Sequence, residues 1–163
     1  MIASTTAGLA DVLREVEDRL SALTGTIGSD DTPVTIDLNL MDRIDVAAAT
    51  TEHLAHQGIA VRILGSRNLE KYRDDAYARV ADSVEVALTY RVRPSAQRNS
   101  RDEAIRLEER IRAHLVEHSW GRIVRLAYKG VTYRGAHPKS SEFYLIAQSF
   151  ETERDAELGG LNA

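Results

Sequence analysis

His114, Glu117 and His118 stand in the order H-x-x-E-H within the stretch HLVEH. On a helix this spacing brings two imidazoles and a carboxylate toward one another, the donor set of a small zinc-dependent hydrolase. A further protein ligand is needed, and no segment advertises one. The motif also falls in the last turn of a predicted helix, where a histidine favours the negative end of the helix dipole. His53 and His56, three residues apart, lack a carboxylate at ligand spacing and read as an exposed helix end. GTIGSDD has neither the lysine nor the helix start of a phosphate loop. There is no serine elbow and no cysteine nucleophile. Asp30–Asp31 and Asp74–Asp75 lie in polar loops and read as solvated pairs. The residues therefore argue for no catalytic group, no metal site and no cofactor, and the chain is not expected to be an enzyme.

The other concentration of chemistry is RVRPSAQRNSR, with Arg91, Arg93, Arg98 and Arg101 between a strand pattern and a helix pattern. Arg91 and Arg93 alternate with Val92, so they project from the strand's polar face, and Pro94 ends pairing. Arg98 and Arg101 stand by a helix start, a place that attracts anions. Asp102 and Glu103 already occupy that first turn, and no aromatic residue is present in the loop to stack a base. Three readings follow: a solvated connection, a contact between subunits, or the lining of a channel.

These groups sit in a chain of 163 residues with 21 basic and 25 acidic side chains, a formal net charge of −4. The length suits one domain with its own core, and the charge argues against broad coating of nucleic acid or an anionic membrane. The absence of cysteine excludes disulfides and thiolate metal sites. No apolar run reaches the roughly 18 residues of a membrane span, and MIASTTAGLADVL lacks the pattern of a signal peptide. A cytosolic origin is expected.

The elements that must position the arginines are read from periodicity. Leu9, Val12, Leu13, Val16, Leu20 and Leu23 mark an amphipathic helix, capped by Thr5 or Thr6 and closed at Gly25, with a charged outer face including Glu15, Glu17 and Asp18. GTIGSDDTP reads as a loop, Val34–Leu40 as a strand, Val46–His56 as a helix ended by Gly58, and Ile59–Gly65 as a strand. Ser66–Ser83 reads as an extended excursion with a short helix near Asp75–Ala81. Val84, Val86, Leu88, Tyr90 and Val92 share one face of the strongest strand.

Ser100 and Glu103 form a capping box for the longest helix, whose apolar side is Ala104, Leu107, Ile111, Leu115 and His118. Glu108–Arg112 and Glu109–Arg106 are expected to pair on its outer side, with Trp120 and Gly121 at its end. RIVRLAYKGVTYRG reads as a hairpin turning at Lys129–Gly130, GAHPKSS as a loop, and Glu142–Glu151 as the last strand. The tail, about residues 152–163, is polar and expected to be mobile. The order predicts a single-domain α+β fold, with helices packed on one face of a largely antiparallel sheet.

In order, length and character, three stretches together resemble the tail terminator (tail completion) proteins of long-tailed bacteriophages. They are LADVLREVEDRLSALTG, then SVEVALTYRVRPS with SRDEAIRLEERIRAHLVEHSW, and YRGAHPKSSEFYLIAQSFETER. The resemblance spans about residues 7–155. It implies a structural virion protein without cofactor, assembled in the host cytoplasm as a hexameric ring at the tail–neck junction. Its implied partners are the major tail tube protein and a neck or head-completion protein, with DNA passing through the ring. Ser66–Ser83 is longer than in a minimal member, and a collar contact would account for it. Under this resemblance Arg91, Arg93, Arg98 and Arg101 meet Glu15, Glu17 and Asp18 of the next subunit, or line the channel. The alternatives are a neighbouring head–tail joining protein and a metal-dependent hydrolase built on His114, Glu117 and His118.

Overall fold

The computed structural model describes residues 7–21, 23, 26–27, 32–33, 57–74, 77–92, 100–117 and 126–157. Along them run α1 (Leu9–Ser21), β1 (Thr26–Ile27), β2 (Thr32–Pro33), β3 (Gln57–Asp74), β4 (Tyr77–Arg91), α2 (Ser100–Glu117), β5 (Leu126–His137) and β6 (Ser140–Glu157). The fold is α+β. Its main sheet has the order β3-β4-β6-β5, and every neighbouring pair is antiparallel. The two-residue strands β1 and β2 form a separate ladder inside the stretch expected to be a loop.

The period-two pattern of β4 explains how the layers form. Val84, Val86, Leu88 and Tyr90 are buried and face the same side. Their partners in register on β6 are Phe150, Gln148, Ile146 and Tyr144, and those on β3 include Ile63, Val61 and Ile59. Onto this surface α1 sets Val12, Val16 and Leu20, and α2 sets Ala104, Leu107, Ile111 and Leu115. Each of these seven helical residues is fully buried, and Leu23 just past α1 is buried too; of the predicted stripes, Leu9 in the first turn of α1 is instead exposed, Leu13 is only partly buried, and His118 lies outside the described residues. Fully burying one such side chain contributes about 1.5–3 kcal/mol, so this layer dominates the fold's stability.

Several boundaries differ from expectation, each for a physical reason. The cap predicted at Thr5 or Thr6 lies outside the described residues. Instead α1 opens at Gly8, whose carbonyl accepts from the Val12 amide at 3.2 Å and whose amide donates to Asp11 Oδ2 at 2.9 Å. Gly58, expected to end a helix, lies in β3 opposite Thr89. The excursion Ser66–Ser83 is two strands: β3 runs on to Asp74 and β4 begins at Tyr77, so no helix occupies Tyr77–Ala81.

The hairpin expected at Lys129–Gly130 is a single strand. Gly130 has φ 134°, which only glycine adopts without strain, and it sits at a register shift between Tyr128 and Gly130. The glycine signal therefore marks a β-bulge, not a turn. The reversal is at Pro138–Lys139, with Gly135–His137 and Ser140–Ser141 inside strands. Thr152–Glu157, expected to belong to a mobile tail, continue β6 and pair with β4 from Tyr77 to Asp82. Expected elements at Val34–Leu40 and Val46–His56, the stops at Gly25 and at Trp120–Gly121, and residues 158–163 lie outside the described residues.

Those late residues of β6 are anchored by a buried ion pair. Arg154 Nε donates to Asp82 Oδ2 at 2.6 Å, and Nη2 to Asp82 Oδ1 at 3.3 Å. Its Nη1 donates to the Ala7 carbonyl at 2.9 Å, and the Ala7 amide donates to the Asp155 carbonyl at 3.0 Å. Ser66 Oγ donates to the same aspartate. Three distant parts of the chain, the approach to α1, the hairpin β3–β4 and the end of β6, are thus joined through one guanidinium.

Candidate functional site: the arginine end of the sheet

The end of β4 and the start of α2 are brought together by their own side chains. Tyr90 is buried, and its hydroxyl donates to Glu103 Oε2 in the first turn of α2. The Val92 amide donates to the Glu142 carbonyl at 2.7 Å, which ties the exit of β4 to the start of β6. Arg91 is exposed, and its Nη2 lies 3.9 Å from Glu142 Oε2. An ion pair this long and this open to water contributes little to stability. Arg101 is exposed in the first turn of α2. Arg93 and Arg98 lie outside the described residues. Of the predicted acidic partners, Asp18 is exposed on α1, while Glu15 and Glu17 are partly buried there.

A basic residue that the loop reading missed completes this end. Arg134 of β5 grips Glu108 of α2 with two nitrogens, Nε to Oε2 at 3.0 Å and Nη2 to Oε1 at 2.6 Å. The hydrogen bonds to Glu108 and then its charge raise the Arg134 pKa above the usual arginine value. Glu108 itself is almost wholly buried, 3% exposed. This corrects the expectation of an outward Glu108–Arg112 pair: the carboxylate turns to the sheet, and Arg112 lies over the Tyr128 ring, 5.1 Å from its centroid. Gln148 Nε2 also donates to the Glu108 backbone carbonyl at 3.2 Å. Between the start of α2 and strands β5 and β6 a cavity of about 180 Å³ remains, lined by Arg101, Ile105, Arg134, Ala136, Tyr144 and Ile146.

His114 does different work from that of a metal ligand. Its Nε2 lies 2.7 Å from the Arg19 carbonyl, and because a carbonyl only accepts, that nitrogen carries the hydrogen. The contact ties α2 to the last turn of α1. His118 and the side chain of Glu117 lie outside the described residues, as do His53, His56 and the carboxylates of Asp30, Asp31, Asp74 and Asp75. Among the described residues no three His, Cys, Asp or Glu side chains are grouped to hold a metal, and no helix is long and apolar enough to cross a membrane.

The signal that would have found Arg134 is the bulge. Reading Gly130 as a bulge keeps Leu126–His137 in one strand, and places Arg134 opposite Ile146 on the helix-covered face. No protein-family model matches the chain, and no curated protein matches it.

Proposed function

We propose that this chain is a structural virion protein that closes into a ring at the tail–neck junction, caps the tail tube, ends its growth and joins it to the head. The observation that carries this reading, beside the resemblance of the sequence, is the sheet order β3-β4-β6-β5. Alternation of direction makes the outer strands β3 and β5 antiparallel to each other. Pairing β5 of one copy with β3 of the next therefore extends the sheet in the same sense, and a head-to-tail contact of this kind, repeated, closes a ring. The bulges in β5 divide its regular pairing into short stretches, Leu126–Tyr128 and Tyr133–Ala136, which restricts the registers open to such a contact. The partners in this reading are further copies of the chain, the tail tube protein and a neck protein, with DNA passing through the ring.

The arginines belong to this reading as contacts between subunits or as channel lining. Arg91, Arg93, Arg98 and Arg101 replaced together by serine are expected to leave the monomer folded, since exposed charges contribute about 0–1 kcal/mol each. The same protein is expected to show weakened ring formation in light scattering and negative-stain imaging, or weakened head joining where the side chains line the channel, with added salt weakening the wild-type contact in the same direction. Rings of sixfold symmetry on tail tubes support the terminator role, and twelvefold rings point to the head-side joining protein. Wild-type protein that stays monomeric even with tubes added overturns both.

A further inference from the structure

Resting on the ring reading above, we propose that the outer edge of β5 at Arg134–Ala136 receives Ser66–Asn68 of β3 from a second copy, and that the Tyr133 hydroxyl is the latch that keeps this edge closed in the monomer. In an antiparallel ladder, one residue points both backbone groups at one neighbouring strand and the next residue points them the other way. The Val92 amide donates to the Glu142 carbonyl, so even-numbered residues of β4 and β6 face each other. The two strands pair without a register shift, so this parity holds along both. The Asp155 carbonyl, odd-numbered and met by the Ala7 amide, agrees with it. Arg134 and Ala136 of β5 stand opposite Ile146 and Tyr144, so their own amides and carbonyls point away from β6, out of the sheet. Ser66 and Asn68 of β3 stand opposite Asp82 and Val80, so theirs point outward at the other edge.

The two edges match. Gly65–Asn68 and Tyr133–Ala136 are largely exposed, unbulged stretches, each framed by register shifts. Pairing Ala136 with Ser66 and Arg134 with Asn68 of the next copy joins their outward groups in the antiparallel sense. It also sets the helix-covered faces of the two copies side by side, because all of these side chains belong to that face. A second copy is therefore the occupant that fits. In the monomer Tyr133 Oη donates to the Ala136 carbonyl at 2.5 Å, one of the groups that an incoming strand must reach. The ring reaches it by lying across Gly135, where a Cβ would stand 3.3 Å from the Tyr133 hydroxyl oxygen and 3.5 Å from Cζ. Tyr133 is 41% exposed, so water receives its hydroxyl when the ring swings away. Unpaired strand edges template association, and sheets blunt them. Here the blunting is reversible.

The test measures self-association of the full chain by analytical ultracentrifugation over a concentration series, with amide spectra to follow folding. Tyr133→Phe removes only the hydroxyl and is expected to associate at about three- to tenfold lower concentration than wild type, the bias that one net hydrogen bond supplies. Gly135→Ala keeps the hydroxyl but crowds the ring off the strand, and is expected to act in the same direction. Ala136→Pro and Asn68→Pro each remove an outward amide that the sheet does not use, so each is expected to fold and to stay monomeric. Mixed, they are expected to form a one-to-one dimer and stop, because each supplies the edge that the other lacks. Closed wild-type rings that Tyr133→Phe and Gly135→Ala leave unchanged overturn the latch and leave the ring reading standing. Open chains of Tyr133→Phe that never close support the latch and overturn the ring reading. The proposal is also overturned if no variant associates, if Tyr133→Phe associates more weakly than wild type, if either proline variant unfolds, or if the two fail to pair when mixed.

Discussion

The two faces of the four-stranded sheet are made by the same strands, one residue out of step, and they are held in different ways. On the helix-covered face Val84, Val86, Leu88, Ile146 and Phe150 lie under α1 and α2 in one continuous apolar layer. On the opposite face the apolar part is small, a cluster of Ala60, Ala87 and Leu145. Beyond it that face becomes a ladder of ion pairs across strands: Arg62–Glu85 at 2.7 Å, Arg67–Glu151 at 3.2 Å, and Arg79 with both Glu153 at 3.3 Å and Asp155 at 2.9 Å. Burial by itself would lower the Arg79 pKa, but the hydrogen bond and charge of Asp155, then those of Glu153, outweigh it and raise the value. An arginine pKa raised by folding contributes stability at every pH below its unfolded value, far above neutrality, and loses it only beyond that, so this guanidinium adds no pH dependence near neutrality. The difference teaches that burial holds one face while charge pairing sets the register of the other.

The comparison breaks most visibly at the helix-covered face. Ile111 is fully buried among Leu107, Leu115 and the sheet. Ile111→Asp places an unpaired carboxylate in that layer and is expected to cost several kcal/mol, of the order of the whole stability of a small domain. Denaturant titration should find the variant unfolded or non-cooperative, and a soluble, cooperatively folding variant would sink the assignment of α2 to this face.

The next largest effect lies where a charge pair intrudes on the same face. Asp82 is 0% exposed and Arg154 8%, so the pair is desolvated. Arg154→Met leaves Asp82 with only the Ser66 hydroxyl of the three donors that reach it, and is expected to cost about 3–5 kcal/mol. Replacing both partners, Asp82→Leu with Arg154→Met, should recover most of that loss, because a buried pair and a well-packed apolar pair are nearly equivalent. Amide exchange should report the single variant's loss first at Ala7 and along Thr152–Glu157, the segments this guanidinium joins.

The same division explains what could be read in the sequence. The helix-covered face was legible because its apolar residues keep period 3.6 in α1 and α2 and period two in β4. The ladder was not, because the rungs that join Arg67 and Arg79 to β6 link residues 74 or more apart, as with Arg79–Glu153 at 74 and Arg67–Glu151 at 84. Reading apolar alternation alone shortened β3, β4 and β6 where their outward residues become charged. A period-two pattern was still present there, in the acidic side chains of Glu151, Glu153 and Asp155, which share the face of Arg79. At the arginine end, the exposed positions of Arg91 and Arg101 followed from local pattern. The cavity did not, since it needs Arg134 and Tyr144 brought beneath α2 through a bulge and a reversal that were read one strand too early.

The smallest expected effect sharpens the comparison along the ladder itself. Arg67 has 63% of its side chain exposed, and its partner Glu151 is also 3.8 Å from Lys129. Losing Arg67 therefore leaves no unpaired buried charge: Glu151 keeps a cation and contact with water. Arg67→Ser is expected to cost at most about 1 kcal/mol, and 1 M salt should erase the difference from wild type. Arg62→Gln is the matched comparison, because the Glu85 side chain is only 9% exposed and receives Arg62 at 2.7 Å. That variant should cost about 1–3 kcal/mol, and salt should remove little of it, since a buried carboxylate deprived of its donor is poorly reached by counterions. Both values come from one urea titration series at low and high salt. If Arg67→Ser costs as much as Arg62→Gln and is equally insensitive to salt, the ladder is a single cooperative network, and the ordering of its rungs by burial is wrong.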